Sequence, residues 1–309
     1  MIGVFDRLGY ERHRRAFRAA DLEVRLEGRT CLVTGANAGI GRATSRALAA
    51  RGARVLLLCR DEGRGEEARD AIRHETGNPL VDLCRLDVSD LADVRRVAAA
   101  VGPAPVHALV HNAGVLPDRR LLTRDGLELT FATHVAGPHL LTALLAERLR
   151  AGRARVVFVS SGGMYLQRLS LDDLAWARRP YDGLVAYAQT KRMQVVLAGR
   201  WAARLAGSGV AVHAMHPGWA DTGSVRTSLP AFHRTMKPLL RDAEQGADTV
   251  VWLVASPRLP GPGGGFWFDR ERRRTHLLPW TVERPGEADR LLALCDVATG
   301  APTGAVAGR

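Results

Sequence analysis

Lysine is almost missing from this chain: only Lys191 and Lys237 stand among 44 Lys and Arg residues in 309, the rest being arginine. Cysteine is sparse too, and Cys31, Cys59, Cys84 and Cys295 show none of the paired spacing of a metal site or a disulfide framework, so no metal is expected. The first three lie in β-like apolar runs, where a free thiol behaves as a small hydrophobe. That usage suits a reducing compartment, and a cytoplasmic location is expected. No apolar run approaches the roughly 18 residues that would cross a bilayer. The opening MIGVFDRLGYERHRRAF has no apolar stretch of signal-peptide length before a small-residue cleavage site. Val4, Phe5 and Leu8 beside the following arginines leave an interfacial helix, and with it a peripheral membrane contact, as a secondary expectation. Acidic side chains number 32 and the formal charge is +12, yet the arginines are dispersed, recurring at Arg95/Arg96 and Arg148/Arg150 as solvated helix positions do. A nucleic-acid partner is therefore not expected. The clusters Arg12/Arg14/Arg15 and Arg270/Arg272/Arg273/Arg274 leave room for acidic partners or an anionic membrane surface.

What is present is a globular composition, 46% hydrophobic and 25% charged, with a strongly alternating pattern. From Arg29 onward, short β-branched or leucine-rich runs at 30–34, 53–59, 80–86, 106–110, 154–159, 210–215 and 265–268 read as strands. Helix-like stretches lie between them at 39–51, 63–76, 90–101, 123–150, 183–207 and 241–255, with a short one near 287–295. Such alternation implies an α/β fold: a single doubly wound parallel sheet of about seven strands, a Rossmann fold, with helices on both faces. That domain is expected over 28–270, with an N-terminal extension at 1–27 and a C-terminal one at 271–309. The connections 160–182 and 216–240 are long and follow strands on the side where open sheets bind ligands, so a small-molecule substrate is expected there. Met164, Tyr165, Leu166, Trp176, Trp219, Leu229 and Phe232 in these loops suit an apolar ligand, or equally pack the loops onto the core.

Thr34-Gly35-Ala36-Asn37-Ala38-Gly39-Ile40-Gly41 directly follows the first apolar run and opens the first helix of the alternating region. Glycines allow a sharp turn and close approach to a pyrophosphate, and free amides at a helix start favour an anion. The second strand ends Leu58-Cys59-Arg60, so the carboxylate that usually meets the ribose 2′-hydroxyl of NAD is missing and a guanidinium is at hand for a 2′-phosphate. NADP(H) is the expected cofactor, with Asp61 next door keeping NAD(H) as the alternative.

Tyrosine occurs four times, and only Tyr187 has a lysine four residues on, which in a helix places both on one face. In a chain that uses arginine almost everywhere, Lys191 reads as a deliberate compact ammonium. Its charge is expected to lower the phenol pKa from about 10 and make Tyr187 a usable general acid. Ser160 and Ser161 end the preceding strand, where a hydroxyl could polarise a substrate carbonyl.

Taken together, TGANAGIG at 34–41, LDVSD at 86–90, NAG at 112–114, SS at 160–161, YAQTK at 187–191 and HPGWADT at 216–222 resemble the short-chain dehydrogenase/reductase family along nearly the whole chain. SSGGMYLQRLSLDDL, YAQTKRMQVVLAGRWA and MHPGWADTGSVRTSLPAFH resemble its member 12 subgroup, DLEVRLEGR before the first strand included. The resemblance implies an NADP(H)-dependent oxidoreductase interconverting a carbonyl and an alcohol, with Ser161, Tyr187 and Lys191 catalytic. Asp87, with Val88 beside it, would lie near the adenine; Asn112, Ala113 and Gly114 would support the cofactor cleft; Pro217, Gly218 and Thr222 would meet the nicotinamide side. It departs from the family where Phe131-Ala132-Thr133-His134 puts a histidine at the fourth catalytic position, usually an asparagine that helps hold a relay water largely through its backbone. His111 likewise replaces the first residue of the usual Asn-Asn-Ala-Gly. His134 thus leaves two readings open, a relay member or a buried hydrogen-bonded substitute. An NADPH-binding sensor or scaffold with little catalysis is the alternative function. Such enzymes often pair through the helices expected at 123–150 and 183–207, so a homo-oligomer is a further expectation.

Overall fold

The apolar runs of the central strands become strands because their residues are buried on both faces of the sheet, which reads as a continuous hydrophobic stretch rather than an alternating one. The computed structural model describes residues 5–221, 223, 230–258 and 263–302, so Thr222, Leu229 and the Phe232 side chain lie outside the described residues. The strands are β1 (Thr30–Thr34), β2 (Arg54–Cys59), β3 (Val81–Arg85), β4 (Ala108–His111), β5 (Arg155–Val159), β6 (Ala211–Met215), β7 (Phe266–Phe268) and β8 (Glu271–Arg273). They form one sheet in the order β3-β2-β1-β4-β5-β6-β7-β8. The pairings through β7 are parallel, and β8 runs antiparallel to β7. β1 is flanked by β2 and β4, so the winding reverses there and opens a crevice at the carboxyl ends of the strands.

The helices are α1 (Arg7–Arg14), α2 (Gly39–Ala49), α3 (Glu62–Thr76), α4 (Leu91–Ala100), α5 (Leu129–Phe131), α6 (Gly137–Leu144), α7 (Ala146–Ala151), α8 (Gly183–Arg204), α9 (Pro230–Met236), α10 (Ala243–Ala255) and α11 (Glu287–Thr299). One core layer includes Leu109, Phe158, Val94, Leu140 and Trp201; the other includes Val33, Val110, Leu48, Ile72 and Val250. Among the described residues, no helix is long and apolar enough to cross a membrane.

Three features differ from the expectation. An eighth strand extends the sheet past residue 270; its residues Glu271, Arg272 and Arg273 are charged and mostly exposed, as suits an edge that must not recruit another chain. The stretch expected as one helix over 123–150 is broken, with a π turn (Ala132–Ala136) between α5 and α6. Pro138 contributes to that break: it has no amide to give the His134 carbonyl four residues earlier. Finally, Phe5 packs on protein, its ring edge-on to His216 at 4.8 Å and to Phe268 at 5.2 Å between centroids. Leu8 is left 62% exposed, so of the apolar residues expected to meet a membrane Phe5 packs on protein, Leu8 faces outward, and Val4 lies outside the described residues.

Candidate active site

Thr34 ends β1 with its hydroxyl accepting the amides of Asn112 and Ala113, each at 3.0 Å, while donating to the Val110 carbonyl at 3.3 Å. The Asn112 amide donates in turn to the carbonyls of Thr34 at 3.0 Å and Gly35 at 3.1 Å. Asn112-Ala113-Gly114 is therefore a brace that fixes the glycine loop. Gly35 and Gly39 have φ of +65° and +51°, and a Cβ on Gly41 would stand 2.3 Å from the Gly35 carbonyl oxygen, so a side chain is excluded where the backbone must close on itself. Aspartates cap α3, α4, α8 and α10 (Asp61, Asp90, Asp182 and Asp242), but α2 starts at Ala38 with no side-chain bond. Its first-turn amides, at Gly39, Ile40 and Gly41, thus face the crevice without a side-chain acceptor, an arrangement that fits a dinucleotide diphosphate.

At the end of β2 burial pushes the Cys59 thiol up to about 11, against the opposing influence of the Ala36 and Asn37 amides. Arg60 follows, exposed and free of ion pairs with other described residues. Asp87 is engaged locally, its carboxylate accepting the Ser89 hydroxyl at 2.7 Å and the Ser89 amide at 3.0 Å. Val88 is buried beneath it, with its carbonyl where a Cβ on Gly137 would stand.

The serine pair divides its work. Ser160 is buried and donates to the Lys191 carbonyl at 2.8 Å, tying β5 to α8. Ser161 caps the short 3₁₀ turn Gly162–Leu166, its hydroxyl accepting the Gly163 amide at 3.4 Å. Tyr187 and Lys191 share a face of α8 as the spacing required, with the ammonium 5.3 Å from the Tyr187 ring centroid. The expected lowering of the phenol pKa by Lys191 is not what the structure gives. Burial raises Tyr187 above its usual value, and the opposing influence is the Ser161 hydroxyl. Lys191 points elsewhere, donating to the Val159 carbonyl at 2.9 Å and to Gln194 Oε1 at 3.1 Å, while burial lowers its ammonium to about 7.

His134 packs edge-on to Tyr187, with ring centroids 5.4 Å apart. Its Nε2 accepts the Val115 amide at 3.0 Å, which places the ring proton on Nδ1, donated to the Thr190 hydroxyl at 2.8 Å. Burial, with the Lys191 charge, holds the imidazole well below its usual range and therefore neutral. With both nitrogens engaged, a relay role for His134 would run through its backbone carbonyl, which accepts Gln194 Nε2 at 2.9 Å.

The substrate loops resolve into packing and exposure. Met164, Tyr165 and Trp176 are buried, Trp219 is half-buried, and Leu166 beside the Ser161 turn is 67% exposed. Pro217 is half-buried, and Gly218, at φ +80°, is held where a Cβ would lie 2.4 Å from Arg241 Nε. Residues that sequence reasoning passed over tie the crevice together. His216 Nδ1 accepts the amides of Gly162 at 3.2 Å and Gly218 at 3.3 Å, joining the two loops. Arg241 is buried with Asp269 at 2.6 Å and donates to the Asp6 carbonyl at 3.0 Å. Gln194 lies three residues beyond Lys191 on the same helix face, a spacing visible in the sequence though its partners were not.

Ser161, Tyr187 and Lys191 stand beside the glycine cradle of the crevice. Residues 29–231 match the family model described as short chain dehydrogenase. The human protein "Dehydrogenase/reductase SDR family member 12" is 42% identical over 298 residues, covering 94% of this chain and 93% of the relative. Human "Retinol dehydrogenase 12" is 37% identical over 81% of this chain and 80% of its own length. A crystal structure of an uncharacterised protein from Mycobacterium paratuberculosis superposes with a TM-score of 0.74 at 32% identity, over 92% of this chain and 98% of that one. The chain thus belongs to the short-chain dehydrogenase/reductase family and is an NAD(P)-dependent oxidoreductase of that family.

Proposed function

We propose that this protein interconverts a carbonyl and an alcohol on a lipophilic small molecule with NADP(H), using Tyr187 as general acid and base. The observation that carries this reading is the buried Tyr187 phenol with the Lys191 ammonium 5.3 Å from its ring centroid and the Ser161 hydroxyl acting to lower its pKa, beside the glycine cradle. In reduction, Ser161 orients the carbonyl oxygen and Tyr187 gives that oxygen its proton. A bound reduced nicotinamide would supply the hydride to the carbonyl carbon. A phenol raised by burial stays protonated at neutral pH, so the chain favours reduction there, and alcohol oxidation, which needs the phenolate, rises with pH.

Arg60, with Cys59 in the place of a carboxylate, supports NADP(H) over NAD(H). Exposed Leu166 beside the Ser161 turn, and the retinol dehydrogenase relative, support a lipophilic substrate. Free thiols at Cys31, Cys59, Cys84 and Cys295 support the cytoplasm as the location. One observation favours the sensor alternative: the Lys191 ammonium is bonded away from the phenol.

The test is titration of the purified protein with NADPH and NADH, then with a panel of aldehydes, ketones and quinones, read by loss of reduced-nicotinamide absorbance. Arg60→Ala should weaken NADPH about tenfold, as loss of a charge-assisted phosphate contact does, and leave NADH unchanged. Tyr187→Phe should bind NADPH normally and turn nothing over. Undiminished reduction by that variant would remove Tyr187 from the chemistry, and NADPH binding without turnover by the parent would favour the sensor.

A further inference from the structure

Lys191 is 3% exposed, and no carboxylate among the described residues bonds its ammonium. The titratable groups that face it are the Tyr187 phenol on its own helix and the neutral His134 ring from the π turn. β5 contributes the Val159 carbonyl, and α8 itself contributes the Gln194 amide. A cation so placed depends on the dipoles that surround it, and one of the two it bonds is a side chain.

Gln194 is fully buried and bonded at both ends of its amide. Its Oε1 accepts Lys191 Nζ at 3.1 Å, and its Nε2 donates to the His134 carbonyl at 2.9 Å. That carbonyl is open to a side-chain donor because the position an α-helix would use is Pro138, which has no amide. The orientation is forced. Turning the amide over would set an NH₂ against the ammonium and a carbonyl against a carbonyl, so the His134 backbone dictates that an acceptor faces Lys191.

We propose that Gln194 is a positioning residue of the active site, its amide holding the Lys191 ammonium to the His134 backbone beneath Tyr187. This rests on the reading of Tyr187 and Lys191 given above. With its ammonium already brought down to about 7 by burial, Lys191 sits where the loss of one accepting dipole discharges it at neutral pH. Discharging the lysine removes the cation that stands 5.3 Å from the Tyr187 ring centroid, which is how the effect of Gln194 reaches the active site.

The near absence of lysine makes the test direct. Protein grown with lysine labelled at the ε-carbon gives two side-chain resonances, from Lys191 and the exposed Lys237, and Lys237→Arg assigns them. Gln194→Met, similar in length and lacking the amide, should lower the Lys191 titration midpoint by about one unit, the loss of one hydrogen bond to a charge, and leave Lys237 unmoved. Gln194→Glu, which puts a carboxylate beside the ammonium, should raise it. With a substrate found from the panel, the alkaline limb of kcat/KM should follow both shifts, since the active form carries the charged lysine. A Lys191 midpoint in Gln194→Met within about 0.3 unit of the parent overturns the proposal. If Gln194→Met does not fold, Gln194→Glu decides it by the same resonance, an unmoved midpoint again being fatal. The midpoint is read without turnover, so a fully active Tyr187→Phe would remove the catalytic reading while leaving the Gln194–Lys191 coupling standing.

Discussion

Removing the His134 side chain would strip the Val115 amide and the Thr190 hydroxyl of a partner together, in a fully buried position. His134→Ala should therefore cost roughly 2–4 kcal/mol, the sum of a small cavity and the unmatched Val115 amide, read as a fall in the denaturant midpoint with an unchanged slope. His134→Asn keeps the carbonyl that Gln194 uses, and should lose stability while retaining more turnover than Gln194→Met. The sequence displayed Tyr187 and Lys191 because both residue types are scarce, and Arg60 because a strand end is a fixed address in this kind of fold. Gln194 stayed hidden for a physical reason. A glutamine announces no chemistry until its two partners are known, and one of them is a backbone carbonyl freed by a proline on another helix.

Longer-range ties govern the elements around the crevice. The loop after β6 is fastened to the segment before α1 by the Trp219 amide on the Phe5 carbonyl at 2.8 Å, and to the turn after β7 by the buried Arg241–Asp269 pair, which His13 joins at 2.7 Å. Breaking a buried pair by removing one charge leaves the other uncompensated. Asp269→Asn should accordingly cost about 3–5 kcal/mol and raise KM for the cofactor as the Pro217-Gly218 loop loosens, whereas a stability loss without a KM change would confine this pair to structure. Parallel strands were legible because burial on both faces writes a continuous apolar run, and β1 through β7 stand within two residues of their expected starts. β8 was not legible, since an exposed charged edge strand looks like a loop, nor was the π turn, since the apolar spacing continues unbroken across Pro138.

At the scale of the whole molecule, α11 decides which surfaces remain open. Leu291 and Cys295 are buried against the core, and Asp296 takes both guanidinium nitrogens of Arg204 at 3.2 and 3.0 Å and the buried His139 ring at 3.0 Å. α11 thereby packs on α6 and α8, elements through which enzymes resembling this one often pair. Light scattering should find a single chain of 33.5 kDa, and truncation after residue 282 should expose that face and yield dimers or aggregates. A truncated chain that stays monomeric and soluble would show that α11 covers nothing sticky. A monomer has no neighbour to inform. Its saturation curve for cofactor and for substrate should be a simple hyperbola with a Hill coefficient of about one, each molecule answering to its own crevice alone.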